Sequence, residues 1–172
     1  MAHRAVAIAN AFLAKPGALG NLTQMQLQKL AYIADGWNMA INGDVLVRDT
    51  ARAWDYGPVF PDLYDHTKFF GARPIDRLIT PDDDDAVRFF TKGRPESDPY
   101  QADLDQSEQS VIDHVWSRYG KLSGAQLSRL THQPGTPWSN AYARGKNSQL
   151  DTDEIREHYI SMAERAEAAS RV

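Results

Sequence analysis

The sequence predicts a mainly α-helical fold: a compact helical domain with a small inserted β-hairpin. Apolar residues recur at spacings of three and four in several stretches, the pattern of helices with one buried face. Most of these stretches begin with a helix-capping residue, as Thr23 does with Gln26 three positions later. After the second such stretch, short β-prone runs lie between turn residues, which predicts the hairpin. The length of 172 residues and the 42% hydrophobic content fit a single domain over residues 1–172.

The first two helices are predicted from their apolar spacing. The first has one apolar face, formed by Val6, Ala9 and Leu13. It is expected to end before Pro16. The second begins after Thr23 and ends at Gly43, and its apolar stripe consists of Leu27, Leu30, Ala34, Trp37 and Ile41. Gly36 lies inside this helix, where either another backbone packs closely against it or the glycine is merely tolerated.

The hairpin is expected directly after the second helix. Residues 45–47 and 51–54 are predicted as its two strands, joined by a three-residue turn. Gly57 and Pro58 are expected to end it. A third helix is then predicted over residues 61–70.

The middle of the chain, residues 72–103, is the least informative part. Thr80 followed by proline and the acidic residues 82–85 predicts the first turn of a short helix, with solvated acids facing its positive end. We expect its buried side to be formed by Val87 and Phe90. A polar loop is predicted over residues 92–99.

Four further helices are predicted in the C-terminal part. Each starts at a residue that caps helices, namely Asp105, Ser123, Thr136 and either Asp151 or Thr152. The first of them has the strongest apolar face, which consists of Val111, Ile112, Val115, Trp116 and Tyr119. Gly120 and Gly145 are expected to end two of these helices.

Composition excludes several classes of protein. The chain has no cysteine, which excludes disulfides, thiolate catalysis and cysteine-based metal sites. A net charge of −4, from 19 basic and 23 acidic residues, gives no general attraction to phosphate backbones. No signal peptide and no membrane-spanning stretch is recognisable. We therefore expect a cytoplasmic protein without a membrane partner.

The sequence gives little evidence for a catalytic or metal-binding site. None of the five histidines forms a closely spaced ligand pair, and residues 82–85 lack the glycine and closing glutamate of a calcium loop. The chain has no nucleophile elbow, no phosphate-binding loop and no dinucleotide motif. We therefore expect no cofactor, no metal and no enzymatic activity. A small enzyme whose site collects His132 and distant acids is one alternative.

Residues 105–132 support another alternative, a DNA-binding transcriptional regulator. They predict a helix, a turn and a helix, with Arg118, Lys121 and Arg129 as basic groups. The second of these helices carries few groups that could contact a base, and helix–turn–helix packing is common in proteins that bind no DNA. Nucleic-acid binding is therefore disfavoured.

Two aromatic residues beside a rigid turn, Trp54 and Tyr56, are candidates for contact with a partner protein. Trp and Tyr are the residues most often found as binding anchors in interfaces. The alternative is that both are core residues that hold the hairpin against the helices.

Four segments together carry a resemblance to a known family. They read LQKLAYIADGW at 27–37, AWDYGPVFP at 53–61, LSGAQLSRLTH at 122–132 and PWSNAY at 137–142. In this order and spacing they resemble the motifs of the Panacea antitoxin domain, whose SocA-like branch acts as a proteolytic adaptor. The resemblance runs over about residues 22–159 and leaves the middle, about 72–103, without a match.

The resemblance implies an antitoxin of a bacterial or phage toxin–antitoxin pair. It implies a cognate toxin protein as the partner, neutralised by direct contact, and the ClpX/ClpXP protease as a second partner if the toxin is delivered for degradation. Four matched or neighbouring residues are candidates for toxin contact: Lys29, Tyr32, Trp54 and Tyr56. The other motif residues are expected to support the scaffold: Trp37, Gly57, Pro58, Thr131, His132, Pro137 and Trp138.

Overall fold

The fold was obtained as a computed structural model, which describes residues 1–92 and 97–171. It is mainly helical with one small antiparallel sheet, as predicted. The helices are α1 (Ala5–Leu13), α2 (Gln24–Asn42), α3 (Pro61–Thr67), α4 (Asp85–Thr91), α5 (Gln106–Tyr119), α6 (Gly124–His132), α7 (Pro137–Arg144) and α8 (Thr152–Ser170). The strands are β1 (Arg52–Trp54) and β2 (Gly57–Val59). Within the described residues no helix is long and apolar enough to cross a membrane.

Helix α2 lies at the centre of the core. It packs against α1, α3, α5, α6, α8 and β2, so its residues 27–39 are buried on every side. The predicted apolar stripe is therefore only one of several buried faces. Ile41, assigned to that stripe, is 56% exposed because the last turn of α2 extends beyond its neighbours. The predicted ends of α2 are confirmed: Thr23 and Gln26 form a capping box, and Gly43 closes the helix at φ 80°.

Gly36 marks the closest approach between α2 and α8. A Cβ atom at this position would lie 2.2 Å from ring atoms of Tyr159, well inside van der Waals contact. Glycine is therefore required here by the ring of Tyr159 and not, as one interpretation of the sequence had it, by another backbone. The same ring packs edge-to-face against Trp37 and Tyr32.

The predicted hairpin is displaced by one segment. Strand β1 pairs with β2, in the register Arg52↔Val59, Ala53↔Pro58 and Trp54↔Gly57, so the prediction that residues 45–47 form the first strand is wrong. Gly57 and Pro58 lie inside the hairpin and do not end it. The N–H and C=O of Ala53 bond to residues 147–148 on the opposite edge, so the missing N–H of Pro58 breaks no bond.

Residues 45–47 have a different role. Val47 bridges His3 at the N-terminus, and the main-chain N–H groups of Leu46 and Val47 donate to one carboxylate oxygen of Asp35. The segment is thus attached to the middle of α2 through a buried carboxylate.

The middle segment also differs from prediction. Asp83 is buried: it caps the turn at Thr80 and pairs with Arg77, so it is not a solvated acid. Phe90 is 82% exposed and Val87 is also exposed, so the prediction that they form a buried side is wrong. Part of the predicted polar loop, residues 93–96, lies outside the described residues.

The C-terminal helices start where their capping patterns predict. Asp105 and Ser123 form capping boxes at the starts of α5 and α6, and Thr136 caps α7 ahead of Pro137. Asp151, and not Thr152, caps α8. Of these helices, α5, α6 and α8 pack against α2, and α6 and α7 lie against the hairpin.

Candidate partner-binding site

The turn of the hairpin is fixed by side chains from the C-terminal helices. Each of its three carbonyl oxygens accepts a hydrogen bond. Trp138 Nε1 donates to the carbonyl of Trp54 at 2.8 Å, and His132 Nε2 donates to that of Asp55 at 2.9 Å. Ser128 Oγ donates to the carbonyl of Tyr56 at 2.7 Å. Because a carbonyl oxygen can only accept, His132 carries its proton on Nε2 in this arrangement.

A second set of contacts holds the side chains of the turn. Tyr142 stacks on Trp138 with ring centroids 4.7 Å apart, and its hydroxyl donates to Asp55 at 2.9 Å. Lys146 Nζ lies 2.8 Å from the other carboxylate oxygen of Asp55. Hydrogen bonds from Lys146 and then from Tyr142 lower the pKa of Asp55, so this acid is charged and already paired. The turn is therefore rigid before any partner arrives.

Lys29 lies beneath the hairpin. Its side chain is only 1% exposed, and Nζ donates to the carbonyl of Pro58 at 3.0 Å. Desolvation lowers the pKa of Lys29 to about 7. Gly57 has φ +116°, and a Cβ there would lie 2.7 Å from Cε of Lys29 and 3.1 Å from Oγ1 of Thr131. Glycine is thus required both by its backbone conformation and by the lysine below it.

A cavity of about 580 Å³ opens beside this turn. Its wall combines the start of α2, the hairpin, α3 and the start of α6, with Thr23, Gln24, Met25, Gln28, Lys29, Trp54, Asp55, Tyr56, Val59, Tyr64, Gly71, Ala72, Gly124 and Lys146 as lining residues. Most of the wall is apolar. Trp54 is held in it by an edge-to-face contact with Tyr64 and by a hydrogen bond from Nε1 to Asn147. Tyr56 stands at the mouth and is 69% exposed.

Three of the four predicted contact residues therefore line one cavity: Lys29, Trp54 and Tyr56. Tyr32 lies elsewhere. It is 3% exposed and packs against Tyr159 on the α8 side of α2, whereas Lys29 lies on the hairpin side. Both side chains are buried, because α2 is covered all round over residues 27–39.

The motif residues assigned to the scaffold occupy buried or hydrogen-bonded positions. Trp37 donates to the hydroxyl of Tyr119 and joins α2 to α5, and Thr131 donates to carbonyls of its own helix. Pro137 is the first residue of α7. The others, His132 and Trp138, with Gly57 and Pro58, form or fix the hairpin turn as described above. Their part in contact with a partner stays a prediction.

Some residues of the site were missed from the sequence. Ser128 could have been noticed, because it lies one helical turn before His132 on the same face of α6. Met25 and Tyr64 show no signal of their own in the sequence. Asp55 and Lys146 form a pair across a large sequence separation, which sequence spacing does not reveal.

The structure bears on the alternatives as well. In a helix-turn-helix, α6 would enter the DNA groove, but its Ser128 and His132 are engaged with the hairpin. Arg118 lies over the rings of Trp37 and Tyr119. His132 is not among the residues of the cavity wall, and within residues 1–92 and 97–171 no cluster of three metal-ligating side chains is found.

Comparison with known proteins identifies the family of this chain. A family model described as "Antitoxin SocA-like, Panacea domain" matches residues 27–139, which is more than half of the chain and runs from the first turn of α2 to the start of α7. Antitoxin SocA of Caulobacter vibrioides (strain NA1000 / CB15N) is 31% identical over 146 residues, which cover 84% of this chain and 72% of that protein. No solved structure matches. The chain therefore belongs to the family of SocA-like antitoxins with a Panacea domain.

Proposed function

We propose that this chain neutralises a toxin protein by direct binding, with the cavity beside the hairpin as the contact site. The observation that carries the proposal is the fixed turn. Family-motif side chains from α6 and α7 bind all three of its carbonyls, and the turn carries Trp54 and Tyr56 at the edge of an open apolar cavity. Because so many hydrogen bonds fix one exposed turn, we expect that turn to contact the partner protein.

The size and lining of the cavity suit an anchor from a protein partner. Pockets that take compact ligands measure roughly 300–1,000 Å³, and the cavity at about 580 Å³ lies within that range. Interface energy concentrates in a few aromatic or apolar anchors that fill such pockets. Because the turn is already ordered, little conformational entropy is lost when a partner covers Tyr56.

Delivery of the toxin to the ClpXP protease would be the second step of this proposed function. An adaptor needs a second surface, separate from the toxin site, so that toxin and unfoldase are held at high effective concentration. The last turns of α8, residues 164–171, are exposed and lie outside the cavity wall. We assign the protease contact to this end of α8.

The test is co-expression with the toxin encoded next to this chain, scored by growth and by co-purification. We expect growth rescue and a stable complex with the wild type. Ala72→Trp, which places a large ring at the exposed edge of the cavity, and Tyr56→Ala should both weaken the complex. Ala72→Ser and Phe89→Ala are the matched controls, the second because Phe89 is an exposed aromatic away from the cavity. Rescue by Ala72→Trp equal to the wild type would exclude the cavity as the contact site.

The same assay in a host without ClpXP separates the two modes of neutralisation. If the wild type still rescues growth there, binding alone blocks the toxin. If rescue is lost there while the complex still forms, degradation is required, and removal of residues 164–172 should then abolish rescue but not binding.

A further inference from the structure

Lys29 carries a buried charge that the fold itself leaves without a counter-charge. It is 1% exposed, and its Nζ has a main-chain carbonyl as acceptor. No ion pair joins it to any carboxylate of residues 1–92 or 97–171, and desolvation is the cause of its lowered pKa. Burying a polar cation without compensation is unfavourable, and a methionine or leucine would fill the same volume without that cost.

The charges of the cavity wall point to the missing group. The wall contains two lysines, Lys29 and Lys146, and one acid, Asp55. Asp55 is already engaged by Lys146 and by the hydroxyl of Tyr142. The cavity is therefore a locally positive site in a chain of net charge −4, and Lys29 is the cation there without an acid.

Lys29 is part of the cavity wall although it is only 1% exposed. Gly57 of the hairpin lies directly above Lys29. The space that a Cβ atom of residue 57 would take is occupied by Cε of Lys29 and the hydroxyl of Thr131. No side chain from this position separates the lysine from the turn. Near Lys29 the wall combines the apolar Met25 and Val59 with the polar Thr23, Gln24 and Gln28.

We propose that the cavity binds an acidic side chain of the toxin together with a neighbouring apolar side chain, and that the carboxylate pairs with the ammonium of Lys29. This inference rests on the proposed function, since it names the chemistry of the toxin segment at the same site. The apolar wall takes the hydrophobic group, and its volume exceeds what one side chain needs. Because the ammonium of Lys29 is already desolvated, its attraction to a carboxylate is less screened by water than that of a surface ion pair.

The first test uses small probes on the full chain: 4-phenylbutyrate and its uncharged amide, titrated at pH 6.5 by NMR. We expect the wild type to bind the carboxylate at least about tenfold more tightly than the amide, as for a charge-assisted contact. Lys29→Met should remove this preference, whereas Lys121→Met, which removes an exposed lysine outside the cavity wall, should keep it. Equal binding of the two probes by the wild type would overturn the proposal, as would a preference that survives in Lys29→Met.

A second variant guards against misfolding of Lys29→Met. Met25 lines the cavity one helical turn before Lys29, so Met25→Glu places a carboxylate at the spacing that favours a Glu–Lys pair on a helix. This internal acid should occupy Lys29 and abolish the preference for 4-phenylbutyrate. Met25→Gln, of the same shape without the charge, should keep it. Retention of the preference by Met25→Glu would contradict a role for Lys29.

Probe binding should also be linked to protons. The groups near the cavity that titrate or carry charge are Asp55, Lys146, Tyr56 and Tyr64, besides Lys29 itself. Pairing with a carboxylate raises the proton affinity of Lys29, so calorimetry at pH 8 should show proton uptake with 4-phenylbutyrate and none with the amide. The same measurement on Lys29→Met should show no uptake with either probe.

The growth assay then separates this inference from the proposed function. If the wild type rescues growth and Lys29→Met and Met25→Glu rescue it equally well, the carboxylate site is not the toxin contact, while the antitoxin proposal stands. If the wild type fails to rescue growth but still prefers 4-phenylbutyrate, carboxylate binding at Lys29 is supported, but the proposal that a toxin supplies the carboxylate is contradicted. Loss of rescue in both variants, with rescue kept by Lys121→Met, supports the proposal.

Discussion

Helix α2 carries two buried ionisable residues that the fold treats differently, Asp35 and Lys29. Asp35 Oδ1 accepts hydrogen bonds from the N–H groups of Leu46 and Val47, at 2.8 and 2.9 Å. Desolvation raises the pKa of Asp35 to about 6, against the effect of these two bonds. Lys29 has a single carbonyl acceptor and lies beside an open cavity.

The difference separates a structural charge from one that is available for binding. Asp35 fixes the loop at residues 45–47 to α2 through two main-chain hydrogen bonds, so its carboxylate is used within the fold. Lys29 holds nothing comparable: its one acceptor, the carbonyl of Pro58, lies on a hairpin that is already fixed by three side chains from α6 and α7. Four experiments break or sharpen this comparison.

The largest effect is expected from Asp35→Ala. This change leaves two buried main-chain N–H groups without an acceptor, which should lower the free energy of unfolding by about 2–5 kcal/mol. Urea unfolding at pH 7 measures it. Asp49→Ala is the control, because Asp49 accepts one N–H, that of Ala5, at a less buried position and should lose only about 1 kcal/mol. Similar losses in the two variants would refute the structural role given to Asp35.

A smaller loss is expected from Gly36→Ala, next to Asp35 on α2. Alanine favours a helix over glycine by about 1 kcal/mol. The new Cβ would lie 2.2 Å from the ring of Tyr159, however, and overpacking of this kind typically costs about 1–3 kcal/mol. The clash should therefore dominate, and thermal unfolding should show a lower melting temperature. Restoration by Gly36→Ala combined with Tyr159→Leu would identify the ring as the cause; a more stable single variant would contradict the close packing of α2 on α8.

Local patterns in the sequence predicted the helices, but they could not predict the pairing of residues that are far apart in the chain. A capping box depends on residues three positions apart, so Thr23, Asp105 and Ser123 could be recognised directly. In the register Ala53↔Pro58, the N–H and C=O of Ala53 bond to residues 147–148 and not to β2, so β1 requires no N–H from Pro58. That pairing has no signature near residue 58.

The candidate site shows the same limit. The motif resemblance identified Lys29, Trp54 and Tyr56, which line one cavity. It could not show that Ser128, His132 and Trp138 bind the carbonyls of the turn, because these bonds span 72, 77 and 84 positions. Helical periodicity could not show that Tyr32 is buried against Tyr159, because α2 has no exposed face over residues 27–39.

Removal of the Lys29 charge should change the pH dependence of stability. Burial lowers the pKa of Lys29 from its ordinary value of 10.5 to about 7, so the unfolded chain binds the proton more tightly. The stability that this group contributes is present above pH 10.5 and is lost as the pH falls through 7. Between these values the wild type should gain at most about 1.4 kcal/mol per pH unit. Lys29→Met should lack this rise and should be more stable than the wild type at pH 7 in urea unfolding. Lys121→Met, as the control, should behave like the wild type. Parallel curves of unfolding free energy against pH for the wild type and Lys29→Met would contradict the burial of the Lys29 charge.

The smallest effect is expected from Asp35→Asn. Both main-chain bonds end on Oδ1, and an amide oxygen can accept them equally, so the free energy of unfolding at pH 4, where Asp35 is protonated, should change by less than about 1 kcal/mol. The pKa of Asp35 is raised to about 6, so its contribution is complete below pH 3.8 and is lost as the pH rises through 6. Asp35→Asn should therefore flatten the stability curve between these values, which urea unfolding at pH 4, 5 and 6 measures. A loss at pH 7 as large as that of Asp35→Ala would mean that the negative charge itself holds the loop. Asp35 and Lys29 would then both act through their charges. A buried charge without an ion-pair partner on α2 would then no longer indicate a role in binding as opposed to a role in the fold.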